Sequence, residues 1–137
     1  MGRRSNVVAF LSEIGRAECD GDRPDLALGH FAECMTISME IGTRPGIIEA
    51  LEGIAGVAAA TGAPIRAARL WGAADALRQE EGCPRSPRES MIFDRQVRRV
   101  HDTLAPDVFD QAWNQGRAMT LEDAVRYALD EDAGSET

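Results

Sequence analysis

The sequence predicts an all-α fold: a stack of antiparallel helical hairpins, about seven helices in all, closed by a C-terminal helical cap. Three observations predict it. Glycines recur about every 20 residues, at Gly21, Gly42, Gly62 and Gly82, each where an amphipathic stretch ends and a left-handed helix cap fits. Prolines follow at Pro24, Pro45, Pro64, Pro87 and Pro106, at or near the first turn of the next stretch, where a missing N–H costs nothing. Between these marks apolar residues recur at three- and four-residue spacing, and no alternating β-type run of useful length appears.

The first helix, about 5–20, aligns Val7, Phe10, Leu11, Ile14 and Ala17 on one face. The second, about 24–41, aligns Ala27, Phe31, Cys34, Ser38 and Ile41. The third, about 45–60, aligns Ile47, Leu51, Ile54, Ala55 and Ala58. The fourth, about 64–81, aligns Ala67, Trp71, Ala74 and Leu77. The fifth, about 87–104, places Ile92, Val97, Val100 and Leu104 less regularly; Ser86-Pro87-Arg88-Glu89 at its start is a capping box, serine and glutamate each reaching the other's backbone N–H. A shorter sixth helix, about 106–116, carries Phe109, Ala112 and Trp113, and a seventh runs from after Thr120 to about 130. Short turns make consecutive helices antiparallel neighbours. The chain therefore reads as one domain over 1–130, with hairpins at about 5–41 and 45–81 and capping helices over 87–130. The acidic tail 131–137 is expected to be disordered.

Composition narrows the function. Of 137 residues 44% are apolar, enough for a core without a metal or disulfide staple. No run of about 18 apolar residues suggests a membrane span. The basic N-terminus lacks the apolar stretch and cleavage site of a secretory signal, so a cytoplasmic protein is expected. The formal net charge of −8 disfavours non-specific nucleic-acid binding. All 15 basic residues are arginine, which a high-GC genome explains and which planar recognition of phosphate or carboxylate also fits. Cys19, Cys34 and Cys83 are odd in number and widely spaced, which reads as buried free thiols rather than a disulfide framework.

The two hairpins superimpose by sequence. Leu11, Ile14, Gly15, Ala27, Phe31 and Cys34 fall 40 residues before Leu51, Ile54, Ala55, Ala67, Trp71 and Ala74. Large residues match large and small match small, as in a helical solenoid. The run Leu11-x-x-Ile14-Gly15, Gly21-Asp22, Ala27-x-x-x-Phe31-x-x-Cys34 resembles a tetratricopeptide repeat, with a period longer than the usual one. Three further stretches are Ala50-Leu51-Glu52-Gly53-Ile54-Ala55-Gly56, Arg66-Ala67-Ala68-Arg69-Leu70-Trp71-Gly72-Ala73-Ala74, and Trp113-x-x-Gly116-Arg117-Ala118-Met119-Thr120-Leu121-Glu122-Asp123-Ala124. They are similar to the C-terminal ending of tetratricopeptide-like arrays in multidomain bacterial regulators, such as ATPase-containing LuxR-type transcriptional regulators. The resemblance implies a right-handed superhelical stack and a protein-interaction or sensory module. No GxxxxGK[ST] phosphate loop is present in this chain.

The resemblance also places the first helix of each pair on the concave side. Ser12, Arg16 and Cys19 then face the groove from the first helix, and Glu49, Glu52 and Gly56 from the third. Arg16 suits a carboxylate and Glu49 with Glu52 suit a basic segment; solvated helix faces explain the same residues. A protein or peptide partner in this groove is the leading expectation, and a small ligand between the hairpins near Trp71 the alternative. Val7, Val8, Phe10 and Leu11 crowd the N-terminal hairpin, which predicts a homo-oligomer through that surface.

Other chemistries find less support. His30 and Cys34 stand four apart with Cys19 on the neighbouring helix, a metal-compatible spacing that core packing equally explains. Cys19, Cys34 and Cys83 with His30 and His101 supply nucleophile and base types, yet no nucleophile elbow, zinc-protease motif or glycine-rich phosphate loop accompanies them. Glu80 and Glu81 read as a solvated helix end. No enzyme, metal or cofactor is expected. Arg95, Arg98 and Arg99 form a basic stripe on the fifth helix with Arg85 and Arg88 before it. Ion pairs to Asp94, Asp102 or the last helix account for it more simply than DNA contact does. Trp71 and Trp113 read as packing residues.

Overall fold

The structure, a computed structural model, describes residues 2–130; the acidic tail lies outside the described residues. Seven helices occupy them: α1 (Gly2–Asp20), α2 (Pro24–Ile41), α3 (Arg44–Ala60), α4 (Pro64–Glu81), α5 (Pro87–His101), α6 (Pro106–Arg117) and α7 (Leu121–Leu129). No strand forms among the described residues, and no helix there is long and apolar enough to cross a membrane.

Local chemistry sets the boundaries. Proline occupies the first turn of α2 through α6. The capping box at α5 is complete: Ser86 Oγ accepts from the Glu89 N–H, and Glu89 accepts from the Ser86 N–H. Thr43 and Thr120 cap α3 and α7 with their hydroxyls. Gly42 and Gly82 end α2 and α4 in the left-handed region, at φ 72° and 62°. The first turn departs from expectation. There Asp22, not Gly21, takes the positive φ of 64°, a conformation aspartate tolerates better than most side chains. Helix α5 also stops three residues early, because the Thr103 hydroxyl and the Leu104 N–H both turn back onto the Val100 carbonyl.

α1 packs on α2, α2 on α3 and α3 on α4, a stack of two hairpins. The core runs through it as the 40-residue register requires. Ala27 and Ala67, Phe31 and Trp71, and Cys34 and Ala74 are all buried. Phe31 is gripped between two glycines: a Cβ on Gly15 of α1 or on Gly53 of α3 would run into its ring. Val8 and Leu11 join this core, so the apolar surface expected of all four N-terminal residues shrinks to Val7 and Phe10, 43% and 66% exposed.

Beyond α4 the stacking order changes. The most intimate partner of α4 is α6, not α5. Gly72 and Gly116 allow this: a Cβ on either would overlap the main chain of the other helix. α7 touches α3 and α4, and Arg66 of α4 donates to the carbonyls of Tyr127 and Ala128, at 3.1 and 2.8 Å, satisfying the last turn of α7. Helix α5 is thereby displaced onto the α3 side.

Candidate functional site

The groove expected along α1 and α3 is not open. Helix α5 lies across it, with Phe93 against Trp71 at 5.6 Å, edge to face, and Gln96 over Gly56. What is left is a cleft of about 60 Å³ beneath α5. Arg16 and Cys19 line it from α1, Phe31 from α2, Glu52 and Gly53 from α3, Trp71 from α4, and Arg88, Glu89, Ile92, Phe93 and Gln96 from α5.

The six residues expected to face a partner fare differently. Arg16, Cys19 and Glu52 do line the cleft. Ser12 is corrected to a core position: it is 2% exposed, and its Oγ has no hydrogen-bond partner among the described residues. Gly56 is also corrected, because α5 covers it and a Cβ there would meet Gln96 Nε2 at 2.6 Å. Glu49 is half-buried close to Arg16. Burial pushes its carboxyl up, with Arg16 opposing and Glu89 and Glu52 reinforcing.

Glu52 is occupied rather than available. Arg78 grips it with two bonds, Nη2 to Oε1 at 2.6 Å and Nε to Oε2 at 3.1 Å. The same guanidinium donates to Glu89 Oε2 at 3.0 Å and to the Cys83 carbonyl at 3.0 Å. Arg78 is only 6% exposed. Burial works against its charge, but the hydrogen bonds and charges of Glu52 and Glu89 outweigh that and raise its pKa above the ordinary arginine value. For Glu89 burial is likewise outweighed, by the Ser86 N–H and by Arg78, so its carboxyl sits below the ordinary range. Arg85 pairs with Glu52 at 2.7 Å and lies over the Phe93 ring at 3.8 Å. Asp75 continues the chain to Arg117 of α6. One ionic network thus pins the start of α5 to α3 and α4. Sequence reading missed it because its partners lie 10 to 42 residues apart; the one local signal was the capping-box glutamate, which serves both backbone and Arg78.

The mouth of the cleft is built from charges. Arg16 Nη1 meets Glu13 Oε1 at 3.0 Å, and Arg88 Nη2 meets Glu13 Oε2 at 3.3 Å. A single carboxylate therefore bridges α1 to α5 across the opening.

The remaining candidates resolve individually. His30 Nδ1 contacts the Glu18 carboxylate, tying α2 to α1. Cys34 is buried with its thiol toward the Val8 carbonyl at 3.7 Å, and burial pushes its pKa up to about 11. Among the described residues no group of three or more His, Cys, Asp or Glu side chains converges as a metal site. The expected ion pairs of Arg95, Arg98 and Arg99 do not form among the described residues; those side chains point to solvent, where such pairs contribute little. Trp71 is fully buried, and Trp113 is half-buried in an aromatic row with Phe93 and Phe109.

No protein-family model matches the chain, and no solved structure matches it significantly. Within its helical-hairpin architecture, the chain is similar over most of its length to part of larger regulator-related proteins. Over 122 residues, 89% of its length, it is 30% identical to two candidate HTH-type transcriptional regulators, Mb0914c of Mycobacterium bovis and Rv0890c of Mycobacterium tuberculosis. The match covers 14% of each, so the chain spans about a seventh of the length of these curated relatives.

Proposed function

We propose that this chain is a non-catalytic, tetratricopeptide-like interaction and sensory module of a cytoplasmic bacterial regulator of the LuxR type. The carrying observation is the match to part of the candidate transcriptional regulators, coinciding with a stack of hairpins in 40-residue register. Repeat stacks present side chains from rigid helices and move as units, which suits reception of a signal rather than chemistry. In this reading a protein or peptide partner engages the rim left by α5, where Arg16, Cys19 and Glu49 lie, and rigid stacking transmits the event to neighbouring domains.

The size of the native protein tests the setting. An immunoblot of source cells with an antibody against this chain shows a band far above 15 kDa if the module belongs to a larger regulator. A band near 15 kDa rules that out and leaves a stand-alone adaptor, whose co-purified partners then report on the interaction role.

A second reading, sensing of a small molecule between the hairpins, is favoured by one feature. The cleft beneath α5 combines Phe31, Trp71 and Phe93 with charged groups at its mouth. A saturable thermal shift with a metabolite panel supports sensing; a flat response with capture of a protein segment supports scaffolding alone.

A further inference from the structure

We propose that the outer face of α5, carrying Arg88, Met91, Arg95, Arg98 and Arg99, docks an acidic amphipathic helix of a protein partner. The partner's carboxylates meet the arginines and one of its apolar residues covers Met91. The inference rests on the interaction reading and names the partner's chemistry.

These arginines are an exception in this chain. Acidic residues outnumber basic ones, 23 to 15. Arg16, Arg44, Arg78, Arg85, Arg117 and Arg126 each meet a carboxylate. Arg95, Arg98 and Arg99 are exposed and form no ion pair among the described residues, although Asp94 and Asp102 stand beside them in sequence. At 3.6 residues per turn these three, Arg88 and Met91 fall within about a third of the helix circumference and roughly 16 Å of its length. The opposite face of α5 turns inward, with Phe93 against Trp71 and Val100 buried. The stripe therefore faces away from the stack.

Met91 gives the stripe a centre. It is 64% exposed, three residues after Arg88 and four before Arg95, so both arginines flank it. Methionine and arginine are among the residues that protein interfaces enrich, and an apolar anchor within a polar rim is their usual arrangement. A shallow depression beside Met91 is lined by Pro87, Ser90, Asp94, Arg95 and Arg98. Arg88 also meets Glu13 at 3.3 Å, so the stripe is continuous with the rim where the interaction reading seats a partner.

Spacing and charge favour a helix over other anions. A second helix repeats its side chains at the same pitch as α5, so carboxylates one and two turns apart align with the arginine row. A short helix also confines its carboxylates to the stripe. Nucleic acid carries dense charge past it, onto a chain of net charge −8, and its phosphates gain nothing from Met91. An anionic membrane needs a broad apolar face, which one methionine does not supply.

The test uses the purified chain and a dye-labelled synthetic helix of alanines, with one stripe of glutamates around a single leucine, read by fluorescence anisotropy. The comparisons are the same helix with glutamine or lysine in place of every glutamate, a mixed-sequence DNA duplex, and vesicles of phosphatidylcholine with phosphatidylserine. The glutamate helix is expected to bind about tenfold more tightly than the glutamine helix, the size that a few exposed ion pairs supply together, and the lysine helix not to bind. Arg95→Gln, Arg98→Gln and Arg99→Gln together are expected to remove most of that difference. Met91→Ser is expected to weaken binding severalfold, and Arg23→Gln, at an exposed arginine outside α5, to leave it unchanged. Equal binding of the glutamate and glutamine helices overturns the docking surface, and so does an equal loss from Arg23→Gln and the triple variant. Tighter, stripe-dependent binding of the duplex or the vesicles also overturns it and assigns the stripe to phosphate. A co-purified partner retained equally by the native chain and the triple variant overturns this surface while the interaction reading stands. If neither the glutamate helix nor any co-purified partner binds the native chain, both fail.

Discussion

Gly72 on α4 and Gly116 on α6 stand where the two helices' main chains touch, so a methyl group at either position would overlap the other backbone. The relationship is what lets α6 take the place beside α4. Gly116→Ala is therefore expected to destabilise by about 3 kcal/mol, at the upper end of overpacking costs, because backbone rather than a flexible side chain must yield. A urea denaturation midpoint measures it; a change under about 0.5 kcal/mol, the range of an ordinary surface substitution, would show that the helices are free to move apart.

Glu52 is the shared acceptor of two arginines from α4 and the following loop. Glu52→Gln keeps the shape but leaves Arg78, 6% exposed, short of its main counter-charge. Breaking a buried pair by removing one partner costs on the order of 3–5 kcal/mol. The expected outcome is a loss of about 3 kcal/mol with amide exchange in α5 rising first, since the same network holds that helix. Uniform exchange across all helices would separate α5 from the network.

Glu49 and Glu89 predict opposite responses to pH. Burial raises the Glu49 carboxyl, against Arg16 of α1 and in company with Glu89 of α5 and Glu52 of α3, with Cys34 of α2 and Arg78 of α4 also nearby. A raised folded-state pKa adds stability that is present below the ordinary carboxylate value and lost as pH rises through the folded value. Glu49→Gln is thus expected to raise the urea midpoint at pH 7 and to have no such benefit below about pH 4. Glu89, held below its ordinary value, contributes stability above that value and loses it as pH falls. Glu89→Gln should then destabilise at pH 7 and lose its effect in acid. Parallel pH curves for the two variants would contradict the assignment.

Val7 and Phe10 are exposed in a way their counterparts one repeat later, Ile47 and Ala50, are not. In α3 those positions are covered by the preceding hairpin. The purified chain is expected to self-associate through this face, and Phe10→Glu to shift it to monomer in sedimentation equilibrium. A native chain that stays monomeric at high concentration would refute the surface as an interface.

Much of this architecture is legible in the sequence because it is written locally. Proline at the starts of α2 to α6, glycine at the stops of α2 and α4 and the Ser86–Glu89 box are short-range chemistry, and they place those helix ends to within a few residues. The 40-residue register likewise identifies Phe31 and Trp71 as equivalent core residues. The position of α5 is not written that way. Periodicity shows that Ile92, Val97 and Val100 share a face, but not that the face turns onto the groove instead of onto α4. That choice is made by Gly72 and Gly116, 44 residues apart, through a contact no local pattern reports. Of the residues expected in the groove, Arg16, Cys19 and Glu52 line the cleft, whereas Ser12 lies in the core and Gly56 is covered by α5, placements that helix periodicity alone does not report.

The grip of Gly15 and Gly53 on Phe31 has a consequence for inheritance. Three helices contribute one residue each to a single steric unit, so none of the three positions can drift alone. In the next register the trio reads Ala55, Trp71 and Phe93, where the third member is a ring set edge-on to the second instead of a glycine beneath it. Across descendants of this chain, positions 15, 31 and 53 should therefore covary as a block, and a lineage that enlarges one glycine should show a smaller residue at 31.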